Sequence, residues 1–144
     1  QINRVGGLEN FLKHVRECKK LSGDDFHALM ICAMSASYSK TSKLTLPFDL
    51  RTCSIDLELW NYWKEYDPVE SVKVNHNSLT PLKLLFIDCG DADQYGIQYG
   101  SRVFVELLTK YGIEHHWEEF QGTHSGIDYR LDSSMPMLAE ALYS

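Results

Sequence analysis

The fold is decided by residues 83–126, KLLFIDCGDADQYGIQYGSRVFVELLTKYGIEHHWEEFQGTHSG, in which short apolar runs alternate with polar loops. The run at 83–88 has the length of a buried strand, and the glycine-flanked segment 90–96 predicts a loop. A helix follows, with Gly112 as its stop, and its apolar positions are Val103, Phe104, Leu107, Leu108 and Tyr111. Residues 113–120 predict a second strand and 122–126 a second loop. This order favours a parallel α/β unit with a right-handed crossover.

The flanking segments predict further helices. Residues 8–18 have helical apolar spacing, and Ser22 can cap a second helix that continues to about residue 36. The hydroxyl-rich stretch 37–54 favours a loop. Ser54 can then cap a helix that carries Trp60 and Trp63 and is stopped by Asp67-Pro68, and Pro136 can start a terminal helix.

Composition limits the classes of function. The chain has 144 residues, of which 44% are hydrophobic, and its formal charge is 14 − 20 = −6. We therefore expect a soluble globular chain with no nucleic-acid partner and no membrane partner. The apolar stretches are also shorter than the roughly 20 residues that span a bilayer. Gln1 stands where an initiator Met would, which indicates an internal start.

Candidate catalytic residues lie in the two loops that follow the predicted strands. Asp91 and Asp93 lie in the first loop, and His124 lies in the second, 124 − 93 = 31 residues after Asp93. The carboxyl ends of parallel strands meet at one edge of a sheet, so an aspartate there could hold the histidine ring for proton transfer. Solvated polar side chains are the alternative interpretation. No cluster has the spacing of metal ligands, so we expect no metal and no cofactor.

These segments resemble the C-terminal part of an esterase branch of the α/β-hydrolases, which includes relatives of enterochelin esterase and S-formylglutathione hydrolase. The resemblance is carried by LFIDCGDADQY (85–95), YGIEH (111–115) and EEFQGTHSGIDYR (118–130). Upstream, the segments KLSGD (20–24), AMSASY (33–38), LPFDL (46–50) and YDPV (66–69) extend it over nearly the whole chain. It implies a three-layer, mostly parallel sheet and a Ser-Asp-His triad, with Asp93 as acid, Asp91 as the alternative acid, and His124 as general base.

The sequence departs from this family in one respect. The family's nucleophile motif, Gly-x-Ser-x-Gly, does not occur in the chain, and Ser35 is only a weak substitute for it. The resemblance therefore implies one partial domain over 1–144, in which residues 1–80 are helices and a lid-like connection and 81–144 carry the acid and the histidine. The serine and the oxyanion hole would lie upstream, and the substrate would be a small-molecule ester.

Two further expectations remain open. Trp60 and Trp63 are candidates for the substrate pocket within a lid over about 37–67, although packing is the commoner use of such an aromatic stripe. The alternative function is a non-catalytic α/β module used for binding or assembly. In either case an incomplete parallel sheet exposes an unpaired edge, which predicts a homodimer through that edge.

Overall fold

A computed structural model describes residues 1–40 and 43–143, and its chain divides into two compact units, Gln1–Tyr66 and Asp67–Ser144. Residues 41 and 42, which fall in the loop predicted over 37–54 and in the lid-like segment, lie outside the described residues. Within the described part of 39–56, only an isolated bridge between Phe48 and Ile55 is regular structure. The prediction of a loop is confirmed there.

The first unit is helical. A short 3-10 helix spans Ile2–Val5, and it is followed by helices α1 (Leu8–Glu17), α2 (Gly23–Tyr38) and α3 (Leu57–Lys64). The core of this unit is formed by Ile2, Phe11 and Cys32, which are buried together. The helices predicted over 8–18 and after Ser22 are confirmed, because their apolar positions cover this core.

Helix caps account for two of the boundaries in this unit. Ser22 forms the predicted cap: its hydroxyl accepts from the Asp25 N–H, and the Asp25 carboxylate accepts from the Ser22 N–H in return. The predicted cap at Ser54 is wrong. Asp56 caps α3 instead, accepting hydrogen bonds from the backbone N–H groups of Glu58 and Leu59, as a short carboxylate one residue before a helix commonly does.

The second unit alternates helices and strands. Its elements are α4 (Pro68–Asn75), a 3-10 helix (His76–Leu79), β1 (Phe86–Gly90), α5 (Ile97–Lys110), β2 (His116–Phe120), a 3-10 helix (Asp128–Arg130) and α6 (Leu131–Tyr143). Val72, Leu108 and Ile113 form its buried core. The chain is therefore an α/β protein, as predicted.

Strands β1 and β2 form a two-stranded parallel sheet. Their register pairs Phe86 with His116 and Gly90 with Phe120, and helix α5 makes the connection between them. The backbone of Gly112 has a φ of 69° and lies just beyond the end of α5, so glycine is well suited to end this helix. Because the strands are parallel, the loops that follow them begin at the same sheet edge.

One helix start in the second unit was not predicted, and one predicted start is wrong. Helix α3 ends at Lys64, before Asp67-Pro68 as predicted, but Asp67 also accepts a hydrogen bond from the Val69 N–H, and Pro68 begins α4. Proline fits this first position because its nitrogen needs no partner there. Pro136 lies inside α6 rather than at its start, and the helix continues past it with one backbone donor fewer.

None of the helices in the described parts of the chain combines the length and the apolarity that crossing a membrane requires. The four cysteines are all free thiols, of which Cys32 and Cys89 are buried and Cys53 is exposed.

Candidate active site

Asp93 lies in the loop after β1 and is only 7% exposed. Its Oδ1 accepts a hydrogen bond of 2.8 Å from the Tyr95 N–H, which folds the loop back on itself. Burial raises the pKa of this carboxyl, but hydrogen bonds from His124 and from backbone N–H groups outweigh burial and leave the pKa below its ordinary value. Asp93 is therefore an ionised, oriented acceptor at neutral pH.

His124 lies in the loop after β2 and contacts Asp93 directly. Its Nδ1 is 2.8 Å from Oδ2 of Asp93, and 51% of the histidine side chain is exposed. An ionised carboxylate can only accept, so Nδ1 carries the proton and Nε2 of the neutral ring has an available lone pair. This is the arrangement required of a general base that an aspartate orients.

Backbone hydrogen bonds join the two loops. The Asp91 N–H donates to the Phe120 carbonyl at 2.9 Å, and the Ala92 N–H donates to the Gly122 carbonyl at 3.0 Å. The Asp91 carboxylate accepts from the Gly122 N–H at 3.1 Å. Of the two aspartates that the sequence left open, Asp93 thus contacts the histidine, and Asp91 holds the backbone of the histidine loop.

A glycine makes this close approach of the two loops possible. A Cβ at Gly90, the last residue of β1, would lie 2.5 Å from the carbonyl oxygen of Gly122 and 2.9 Å from that of Thr123. Any side chain at Gly90 must therefore push the histidine loop away.

Two residues beside Asp93 also hold His124, and neither was predicted from the sequence. The Gln94 Oε1 accepts a hydrogen bond of 3.1 Å from the His124 N–H. The Tyr95 and His124 rings are nearly perpendicular, with 4.8 Å between the ring centroids. Three consecutive residues therefore hold one histidine by its ring nitrogen, its backbone and a contact with its ring. A contact of an amide side chain with a distant backbone group leaves no periodic signal in a sequence.

Arg130 ties the end of the histidine loop to the sheet. Its guanidinium donates to Asp88 at 2.9 Å and to Glu118, two carboxylates that face each other across the strand pair. Like charges at directly opposed positions repel, and the arginine offsets this repulsion. Its hydrogen bond holds the pKa of Glu118 below the ordinary value.

The remaining candidates from the sequence lie in the first unit. Trp63 is buried against Tyr38, and Trp60 stacks on Trp63 with 5.9 Å between the ring centroids. Their role in a substrate pocket stays a prediction. Ser35 is fully buried and donates its hydroxyl to the Thr45 carbonyl, so this serine is not accessible to a substrate.

A second contact between an aspartate and a histidine lies in the first unit. His14 Nε2 is 3.2 Å from Oδ1 of Asp25, and the same carboxylate accepts from Gln1 and from the Ser22 hydroxyl. Hydrogen bonds from Ser22 are the largest cause of the lowered pKa of Asp25. Here the serine hydroxyl donates to the aspartate and not to the histidine, so these three residues do not form a relay towards a substrate.

Over 1–40 and 43–143, no group of three or more His, Cys, Asp or Glu side chains is placed to hold a metal ion. The chain matches none of the known protein-family models, and no curated protein matches it.

Proposed function

We propose that the second unit supplies the acid and the general base of a serine ester hydrolase and is the C-terminal part of an α/β-hydrolase sheet. The observation that supports this most is the contact between Asp93 and His124 at the ends of adjacent parallel strands, with Nε2 of the histidine available. The chain order of acid before base is also that of the α/β-hydrolases.

In this mechanism, His124 Nε2 accepts the proton of the serine hydroxyl as the serine attacks the ester carbonyl. Asp93 fixes the tautomer through Nδ1 and stabilises the imidazolium that forms. The imidazolium then gives its proton to the leaving alcohol, and the neutral ring next takes a proton from the water that attacks the acyl-enzyme. Gln94 holds the backbone N–H of His124, and Tyr95 contacts its ring, throughout.

The proposal assigns the serine to chain outside these 144 residues, because no Gly-x-Ser-x-Gly occurs among them. The chain alone should therefore hydrolyse p-nitrophenyl acetate no faster than buffer does, and it should not react with a fluorophosphonate probe. Stoichiometric labelling of any serine in the chain would contradict this assignment.

The decisive test uses the gene product as it is encoded, whatever its length. Replacing His124 by Ala should lower kcat for p-nitrophenyl esters by several orders of magnitude, whereas His14→Ala, the matched control from the other Asp-His contact, should leave kcat unchanged. Equal activity of His124→Ala and the wild-type protein would remove His124 from the mechanism. A gene product without any esterase activity would favour the non-catalytic module.

Self-association through the sheet edge is part of the same proposal. In the part of the chain that the structure describes, β1 and β2 pair only with each other, so each strand has one unpaired edge. Sedimentation of the chain over a range of concentrations should then show a dimer, and a monomer at all concentrations would contradict this part of the proposal.

A further inference from the structure

We propose that an apolar groove between α4 and α5 binds the acyl chain of a neutral, medium-chain ester. This inference rests on the proposed function, since it names the class of substrate on which Asp93 and His124 would act. The groove has a volume of about 470 Å³, and its lining includes Pro68, Val69, Ile97 and Phe104. Sites for small molecules commonly have roughly 300–1,000 Å³ and a mostly apolar lining.

The shape of this acyl groove suits a linear chain. A second cavity of about 160 Å³ shares Pro68 and Phe104 with it and extends along α4 to Ser78 and Leu79. The two cavities together follow the length of α4, which has eight residues. An elongated apolar surface of this kind matches an unbranched alkyl chain better than a compact ring.

The charges of the lining favour a neutral occupant. Asp67 contributes the only charged side chain among the described residues that line the 470 Å³ cavity, and its carboxylate accepts a hydrogen bond from the Val69 N–H. An anionic ligand would be repelled by this carboxylate and would find no cation in the lining. A neutral ester is not repelled by Asp67 and needs no cation in the lining.

The acyl groove adjoins the acid loop in the chain. Gly96 and Ile97 line it, and the Gly96 N–H donates a hydrogen bond of 3.1 Å to the Asp93 backbone carbonyl. The helix that forms one wall of the groove therefore begins four residues after Asp93, the residue that orients His124.

A glycine provides the means to block the acyl groove without disturbing the fold. Gly100 lines the groove within α5, and a Cβ built there meets no atom within 4 Å. Gly100→Leu should therefore fill the groove, and a residue other than glycine also favours the helix. Glu106→Leu adds the same side chain at an exposed position of α5 outside the groove and is the matched control.

The first experiment measures binding by the 144-residue chain with n-alkanols as neutral probes. Two-dimensional amide NMR with 1-butanol, 1-hexanol and 1-octanol should show shifts at Val69, Gly96, Gly100 and Ser101, with affinity rising about fourfold for each added methylene. Hexanoate should bind more weakly than 1-hexanol. Gly100→Leu should abolish the shifts, Gly100→Ala should weaken them, and Glu106→Leu should keep them. Shifts located elsewhere, or independent of chain length, would overturn the proposal.

The second experiment measures chain-length preference in the encoded gene product. The ratio of kcat/KM for p-nitrophenyl octanoate to that for the acetate should fall at least about tenfold in Gly100→Leu and stay unchanged in Glu106→Leu. An unchanged ratio in an active Gly100→Leu enzyme would overturn the assignment of the acyl groove. If no ester is hydrolysed, the proposed function fails, and binding of the alkanols still decides whether the groove takes an alkyl chain.

Discussion

Each of the two units contains a buried aspartate that contacts a histidine, and the surroundings of the two aspartates differ. Asp25 accepts from the serine three residues before it in the same helix start, whereas Asp93 meets a histidine 31 residues away across two loops. The donors around Asp25 complete a helix cap, which is a structural task. Those around Asp93 leave a half-exposed imidazole with one nitrogen available. An Asp-His contact alone thus does not indicate catalysis; what else each partner binds distinguishes the two.

The strongest test of the difference between the two aspartates is to replace each of them by asparagine in the encoded gene product. Asp93→Asn should lower kcat by roughly 10⁴-fold, because an amide does not hold the imidazole in the required tautomer. Asp25→Asn should leave kcat unchanged and lower Tm. Steady-state hydrolysis of p-nitrophenyl acetate and thermal unfolding measure the two effects, and similar losses of kcat in both variants would contradict the distinction.

Asp91→Asn is the control within the same loop. Its amide oxygen can still accept from the Gly122 N–H, so kcat should change by less than about threefold. A loss as large as that of Asp93→Asn would make Asp91 the acid.

Substitutions at two glycines, Gly90 and Gly100, test whether the contact between Asp93 and His124 depends on the close approach of the two loops. Gly90→Ala places a Cβ 2.5 Å from the Gly122 carbonyl oxygen and should destabilise the second unit by about 1–3 kcal/mol. Displacement of the histidine loop by this Cβ should also lower kcat. Gly100→Ala adds the same methyl group in open space within a helix and should stabilise by about 0.5–1 kcal/mol. Denaturant unfolding of both variants checks this, and a Gly90→Ala variant as stable as wild type would refute the close approach.

Loss of the helix cap at Ser22 in the first unit should have a smaller effect on stability. Ser22→Ala removes the hydroxyl that accepts from the Asp25 N–H and should cost about 1 kcal/mol, with no change in kcat. Residue-level hydrogen exchange should place the loss in α1 and α2. Faster exchange limited to the second unit would contradict the assignment.

The smallest expected effect is a loss of stability at acidic pH. The pKa of Asp25 is lowered in the folded protein, so its contribution to stability is complete above the pKa of the unfolded chain, about 3.9, and is lost as pH falls towards the lower folded value. Hydrogen-exchange protection factors in α1 and α2 should fall below about pH 4, and Asp25→Asn should reduce this dependence. Identical pH profiles of the variant and the wild type would show that Asp25 gives no such contribution.

The sequence predicted the alternation of elements well because periodic apolar positions report which residues pack together. Strand and helix types at 86–120 were correct, and so was the cap at Ser22. The helix starting at Pro68 was missed because an Asp-Pro pair that follows one helix can also cap and begin the next. The cap at Asp56 was missed because Ser54, two residues earlier, is also a residue type that caps helices. Spacing along the chain also could not separate Asp91 from Asp93, since the turn fixed by the Tyr95 N–H decides which carboxylate meets His124.

The connection through α5 has a consequence for the order of folding events. Residues 91–115 separate β1 from β2, and the 14 residues of α5 fill most of that distance. A helix forms from local contacts within about a microsecond, so we expect α5 to shorten the flexible chain that must close before the two strands pair. The backbone bonds from Asp91 and Ala92 continue the strand pairing into the loops. In kinetic terms, we expect the Asp93-His124 contact to appear together with the sheet, so that a pulse-labelling experiment finds the amides of His124 and Phe120 protected in the same phase.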